Sequence, residues 1–63
     1  MELYRSWDHY LFKHDEHGWH IFRADGKWGI IEKDRVEYVI RDVNELVKID
    51  EEEMFIRCLM NEP

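Results

Sequence analysis

Apolar and polar residues alternate through most of the first two thirds of the chain, and turn residues interrupt the alternation at short intervals. This pattern is typical of antiparallel strands joined by tight turns. Asp25 and Gly26 together favour a two-residue type I′ turn, which needs positive φ at both positions. We therefore expect residues 19–24 and 27–32 to form a hairpin. The expected pairs are Ala24 with Lys27, Phe22 with Gly29, Ile21 with Ile30 and His20 with Ile31.

Further strands are expected on both sides of this hairpin. After a second tight turn at Lys33 and Asp34, apolar residues alternate with polar ones and predict a strand over residues 35–41. Upstream, residues 7–13 are predicted as the first strand. The alternative is a helix in the N-terminal segment, because the apolar residues there also fit helical spacing. Those residues are Leu3, Trp7 and Leu11.

The last third of the chain carries helix signals. Residues 42–45 match a capping box, in which the carboxylate of Asp42 accepts a backbone N–H and Glu45 reaches back. A short helix to about Ile49 is expected to follow.

The acidic run at residues 50–53 repeats that signal, since carboxylates suit the positive end of a helix dipole. It predicts a second helix to about Asn61, with a final strand over residues 54–60 as the alternative. The sequence therefore predicts an α+β fold in one domain over residues 1–63. We expect an antiparallel three- to four-stranded β meander with one or two short C-terminal helices.

Charge narrows the classes of partner. Fifteen acidic and nine basic residues give a net charge of −6, and residues 42–63 alone hold seven acidic against two basic residues, or −5. Direct binding to nucleic acid or to an anionic membrane is not expected, because such binding relies on Lys and Arg. A basic surface on a protein is the partner that this charge favours. The residues expected to contact it are Asp42, Glu45, Asp50, Glu51, Glu52 and Glu53.

Composition also indicates a compartment. Cys58 is the only cysteine, so an internal disulfide is excluded, which fits a reducing environment. The chain has no apolar stretch of about 18 residues and no basic, apolar start typical of a signal peptide. We expect a cytoplasmic protein.

Catalytic chemistry is not indicated. Ser6 is the only serine, threonine is absent, and Cys58 lies in an apolar run typical of a structural thiol. The contiguous carboxylates of residues 50–53 repel one another and suggest no cleft that raises a pKa. Neither an enzyme nor a cofactor is predicted.

Histidine is the best candidate for a metal ligand. His14, His17 and His20 lie at intervals of three, with Asp15 or Glu16 as a completing ligand. On a helix this spacing spreads the rings over roughly 200°, and across a hairpin only two of them share a face. A native metal site is therefore not predicted, and a histidine-based metal-binding module stays an alternative.

Both faces of the expected sheet are partly apolar, although a solvated face is normally polar. Either the N-terminal segment covers the second face as a helix, or that face docks onto another copy or a partner. The last helix is also apolar over roughly 240° of its circumference, which suits a homodimer or a central position in the fold. The residues expected on the second face are Trp19, Ile21, Trp28, Ile30 and Val39.

These observations favour a small acidic protein-binding inhibitor or adaptor that occupies a basic, nucleic-acid-binding surface of its partner. In size, acidity and lack of catalytic residues the chain resembles inhibitors made by phages and mobile elements, such as anti-CRISPR proteins and DNA-mimic inhibitors of uracil-DNA glycosylase. That resemblance implies an anti-defence role. The alternative from another class is a self-associating accessory subunit, a homodimer without an external target.

Overall fold

The computed structural model describes residues 1–61 and confirms the α+β class. Within these residues, five strands form one antiparallel sheet in the order β4-β3-β2-β1-β5, one strand more than the sequence predicted. The strands are β1 (Glu2–Arg5), β2 (Leu11–Asp15), β3 (Gly18–Phe22), β4 (Trp28–Ile30) and β5 (Val47–Ile49). The helices are α1 (Val36–Val39) and α2 (Glu51–Asn61), and 3-10 turns span Lys33–Arg35 and Val43–Glu45.

The first and last hairpins of the meander use the same three-residue loop, residues 7–9 and residues 24–26. In both, the residue before the loop donates its N–H to the carbonyl of the residue after it at 2.8 Å, and accepts from the third loop residue at 3.0 Å. The third residue is left-handed in both loops: His9 has φ 70° and Gly26 has φ 80°. This is a type I turn closed by a left-handed residue, a common hairpin connection.

The predicted type I′ turn and the register that it implied are therefore wrong. The observed loop requires positive φ only at Gly26, whereas the predicted turn also required it at Asp25, whose φ is not positive. The longer loop moves the pairing by one residue. The observed pairs are His20 with Ile30, Ile21 with Gly29 and Phe22 with Trp28. Because side chains alternate between faces, this shift moves Trp28 and Ile30 to the opposite face of the sheet.

The strand predicted over residues 35–41 is also wrong, because α1 lies there. Ile40 is 5% exposed and Val36 is half-buried, whereas Tyr38 is 80% exposed. A strand would place all three on one face, but a helical turn places residues four apart together and turns the middle one away. The alternation was compatible with both structures, and burial of Val36 and Ile40 selects the helix.

The N-terminal segment and the segment after Asp42 form neighbouring strands instead of helices. β1 pairs with β2 on one side and with β5 on the other, where Leu3 lies opposite Ile49 and Arg5 opposite Val47. The predicted capping residue Asp42 starts only a 3-10 turn, in which its carboxylate accepts the Asn44 N–H at 2.9 Å. A helix of a few residues is marginal alone, so pairing with β1 determines the structure of residues 47–49.

The first predicted strand, residues 7–13, is only partly observed. Its second half lies in β2, while residues 7–9 form the loop after β1, and β1 itself was not predicted.

The C-terminal helix is confirmed, and the alternative of a final strand is wrong. The Asp50 carboxylate accepts the Glu53 N–H at 2.8 Å, which is the expected N-cap contact. Within α2 the Glu53 carboxylate lies 2.7 Å from Nε of Arg57. No helix within residues 1–61 is long and apolar enough to cross a bilayer.

Two buried clusters lie on opposite faces of the sheet, because Leu11 and Phe12 are neighbours in β2 and point to opposite sides. α2 covers the first face, here called the helix face. The connection between β4 and β5 covers the second, here called the connection face. The N-terminal segment covers neither. The helix-face cluster contains Leu3, Leu11 and Met54, and the connection-face cluster contains Phe12, Ile31 and Ile40.

Candidate functional site

The structure does not bring the three candidate metal ligands together. His14 and His20 lie on opposite faces of the sheet, as their pairing with Trp19 and Lys13 shows. The His14 ring packs on Trp19 at 4.5 Å between centroids, and His17 is exposed beside Glu16. Within residues 1–61 no group of three His, Cys, Asp or Glu side chains is placed to hold a metal ion.

His20 forms a local contact with Asp15, whose carboxylate lies 3.1 Å from Nε2. The same Asp15 oxygen accepts the backbone N–H of His17 at 2.8 Å. The His17 N–H, and after it the His20 ring, hold the pKa of the Asp15 carboxyl below its ordinary value. These contacts order the turn between β2 and β3, which is a structural role.

A second charged cluster lies on the connection face, where β1, β2 and β5 meet. The Glu2 carboxylate lies 3.2 Å from Nζ of Lys48 and 3.8 Å from Nδ1 of His14. The hydrogen bond from Lys48 lowers the pKa of Glu2, and burial together with Glu2 raises the pKa of Tyr4. These groups neutralise one another, so they add no net negative charge for a partner.

The predicted apolar interface does not form one patch, because of the register shift. Trp19 and Ile21 lie on the connection face, whereas Trp28 and Ile30 lie on the helix face. Val39 belongs to α1 and is 42% exposed. The two tryptophans pack against different clusters, so the proposed common surface is not present.

The predicted acidic contact residues divide between two places. Asp50 caps α2 and Glu53 pairs with Arg57, which leaves Glu51 and Glu52 exposed without ion pairs within residues 1–61. Asp42 and Glu45 lie elsewhere, on the rim of a groove. Of the predicted acidic residues, these two line that groove.

This groove has a volume of about 560 Å³. Its lining comes from the connection between β1 and β2, from the sheet, and from the connection between β4 and β5. The lining residues from the first connection are Ser6, Trp7, Asp8 and Tyr10, and those from the last are residues 38–42, Glu45 and Leu46. Apolar side chains of the connection-face cluster and its neighbours are among the lining, namely Phe12, Ile21, Ile40 and Leu46. We call this feature the aromatic groove, after its exposed rings Trp7, Tyr10 and Tyr38.

The exposed rings distinguish the groove from an ordinary surface cleft. Trp7 is 76% exposed, Tyr38 is 80% exposed and Tyr10 is 56% exposed. Three large rings facing solvent around one concavity are typical of a binding surface, because Trp and Tyr provide large contact area with few rotatable bonds. Trp7 and Tyr10 come from the connection between β1 and β2, and Tyr38 comes from α1.

The rim of the aromatic groove is acidic. The groove lining holds three carboxylates, those of Asp8, Asp42 and Glu45, and one guanidinium, that of Arg41, so its net charge is −2. None of the four forms an ion pair within residues 1–61. The groove therefore combines apolar rings with unneutralised negative charge, which suits a cationic group with an apolar stem.

The loop that presents Trp7 also carries backbone strain. His9 is the one residue other than glycine with positive φ in the described chain. A side chain in this conformation costs roughly 1–2 kcal/mol, and such strain is often found at binding sites. The strained residue follows directly on Trp7 and Asp8, which line the aromatic groove.

Trp7, Asp8, Tyr10 and Tyr38 were not predicted as site residues. Residues 7–10 and Tyr38 fell within predicted strands, so their rings were expected on the faces of the sheet. One signal in the sequence could have indicated the loop at residues 7–9. Asp8 lies at its centre, just as Asp25 lies at the centre of the loop of residues 24–26.

No protein-family model, no curated protein and no solved structure matches the chain. The function is therefore argued from the aromatic groove itself.

Proposed function

We propose that the chain is a small protein-binding inhibitor or adaptor that binds a basic surface of a protein partner through the aromatic groove. The observation that carries this proposal is the combination of exposed rings with an acidic rim around one concavity. The rings provide contact area, and the carboxylates select a cationic surface. No step of chemistry is assigned to the groove.

A nuclease or DNA-binding protein is the partner class that we propose. Surfaces that bind nucleic acid are rich in Lys and Arg, so they are strongly basic. A chain with a net charge of −6 approaches such a surface quickly, and occupying it blocks the nucleic acid. This corresponds to an anti-defence inhibitor of phage or mobile-element type, acting in the cytoplasm.

The acidic start of α2 has a different proposed role. Asp50 and Glu53 already serve the helix through a cap and an ion pair. Glu51 and Glu52 are exposed and contribute to the long-range field that speeds association. Their neutralisation should lower the association rate, while neutralisation of the groove rim should raise the dissociation rate as well.

Affinity purification with the tagged chain tests the proposal, using lysate of the source cells and a charge-neutralised variant. The test variant is Asp42→Asn with Glu45→Gln, since Asn keeps the capping acceptor of Asp42. The matched control is Glu51→Gln with Glu52→Gln, which removes the same charge from α2. We expect a nucleic-acid-binding protein that the wild type and the control recover and the groove variant loses. The wild-type chain, added to the recovered protein, should block the binding of nucleic acid by that protein. Unimpaired binding of nucleic acid would contradict the proposal.

Self-association is the second candidate function, and α2 favours it. The outward side of α2 is apolar although nothing within residues 1–61 covers it: Phe55 is 66% exposed, Leu59 is 55% exposed and Met60 is 78% exposed. A homodimer that pairs these surfaces would bury them, as the sequence suggested. Sedimentation over a range of micromolar concentrations tests this, with Leu59→Ser as the variant. A monomeric mass for the wild type throughout would exclude it.

A further inference from the structure

We infer that the aromatic groove binds an arginine side chain that the partner presents on an exposed segment. This inference rests on the proposed function and names the group that the groove recognises. The groove volume of about 560 Å³ lies within the range of sites that hold a small organic ligand, about 300–1,000 Å³. The groove is therefore large enough to hold a long side chain.

The free oxygen atoms of the rim define what the groove accepts. Oδ1 of Asp42 accepts the Asn44 N–H at 2.9 Å, and Oδ1 of Asp8 accepts the Ser6 hydroxyl. The second oxygen, Oδ2, of each carboxylate accepts no hydrogen bond within residues 1–61, and neither oxygen of Glu45 does. One bond holds each aspartate in place while its other oxygen stays available. Such preorganised acceptors favour a ligand with several N–H donors.

Arginine meets these requirements better than lysine. Its guanidinium is planar, carries five N–H donors and is less strongly hydrated than an ammonium, so it stacks on exposed rings and bonds to carboxylates at the same time. Trp7 and Tyr38 provide ring surface from two separate segments of the groove lining, and Asp8 and Asp42 provide acceptors from the same two segments. A lysine ammonium gains the charge attraction but less of the stacking.

Arg41 is the one cationic residue in the groove lining. Its positive charge repels the guanidinium of a bound arginine. Arg41 is exposed and makes no ion pair within residues 1–61, so its removal leaves the buried clusters unchanged. Arg41→Gln takes the lining charge from −2 to −3. We expect it to raise the affinity for an arginine peptide about two- to fivefold, the range of an exposed charge pair. A gain of affinity is an effect that misfolding does not produce.

Peptide titration followed by NMR tests the inference. The probes are three short acetylated, amidated peptides that differ only at a central arginine, lysine or citrulline, the last an uncharged analogue of arginine. We expect the arginine peptide to shift the Trp7 indole N–H and the backbone signals of residues 38–46 at millimolar concentrations, the lysine peptide to shift them less, and citrulline not at all. Equal shifts from all three peptides, shifts confined to α2, or no shifts would each overturn the inference.

Two substitutions locate the site. Tyr38→Ala should weaken binding of the arginine peptide at least about threefold, the loss expected for a cation–π contact at an exposed site. Ile30→Ala is the control, because Ile30 is a similarly exposed apolar side chain on β4, 63% exposed, and lies outside the groove lining. Circular dichroism checks the fold of both. If the recovered partner still depends on Asp42 and Glu45 but binds Tyr38→Ala at full affinity, arginine recognition fails and the proposed function stands. If the groove variants change neither the binding of the peptide nor the binding of the partner, the inference of arginine recognition and the proposed function both fail.

Discussion

The contact between α2 and the sheet depends chiefly on Met54, and Met54→Ala tests this. Met54 is 6% exposed and belongs to a buried cluster of only three residues, with Leu3 and Leu11. Truncating a buried methionine to alanine costs about 2–5 kcal/mol, and the small cluster allows α2 to settle partly into the space. We therefore expect a loss of about 2–3 kcal/mol.

This loss is large relative to the stability of so short a chain. Sixty-three residues at roughly 0.05–0.15 kcal/mol each correspond to a free energy of unfolding of about 3–9 kcal/mol. Met54→Ala should thus remove at least about a fifth of it, and most of it if the free energy of unfolding lies at the lower end of that range. With an m-value near 1 kcal/mol/M, the urea midpoint should fall by about 2–3 M.

Urea unfolding followed by circular dichroism and tryptophan fluorescence measures the effect at low protein concentration. Phe55→Ala is the control, since Phe55 neighbours Met54 on α2 but is 66% exposed, and it should change stability by no more than about 0.5 kcal/mol. Trp28 packs against the Met54 cluster and provides a local probe. Equal losses in the two variants, or a loss below about 1 kcal/mol for Met54→Ala, would refute the packing argument.

Three further predictions concern the turns. Gly26→Val should lower the unfolding free energy by about 1–2 kcal/mol because a side chain opposes its φ of 80°, and unchanged stability would contradict the observed loop. His9→Gly should raise it by about 0.5–1 kcal/mol in the same urea assay, since glycine relieves the strain at φ 70°; a decrease would count against that strain. The folded pKa of Asp15 is lowered by the His17 N–H and then by His20, so its ionised form stabilises the fold above about pH 4. The stability difference between wild type and Asp15→Asn should shrink as acid carries the pH through the folded pKa, and a constant difference would disprove this.

The α+β class and the C-terminal helix were predictable because their signals are local. Asp50 and the carboxylates after it form an N-cap wherever the chain folds, since the cap joins residues three apart. Gly26 likewise marks a turn through its own φ. Composition determined the net negative charge in the same way.

The register could not be predicted from the same residues. Asp25 and Gly26 are compatible with a two-residue and with a three-residue loop, and the choice between them moves every later side chain of β4 to the other face. The choice is made by packing across the whole sheet, where Trp28 pairs with Phe22 beneath α2. The predicted apolar interface was divided for this reason.

The aromatic groove was decided by the tertiary structure alone. Its lining comes mainly from residues 6–10 and 38–46, which are far apart in sequence and meet only because α1 and the connection after it fold over the sheet. The period of two in residues 36–40 fits a strand, and only burial of Val36 and Ile40 together turns Tyr38 outward. The sequence by itself therefore determined the fold class, the net charge and the helix cap, which depend on neighbouring residues. Pairing and packing between distant segments placed the rings beside the carboxylates.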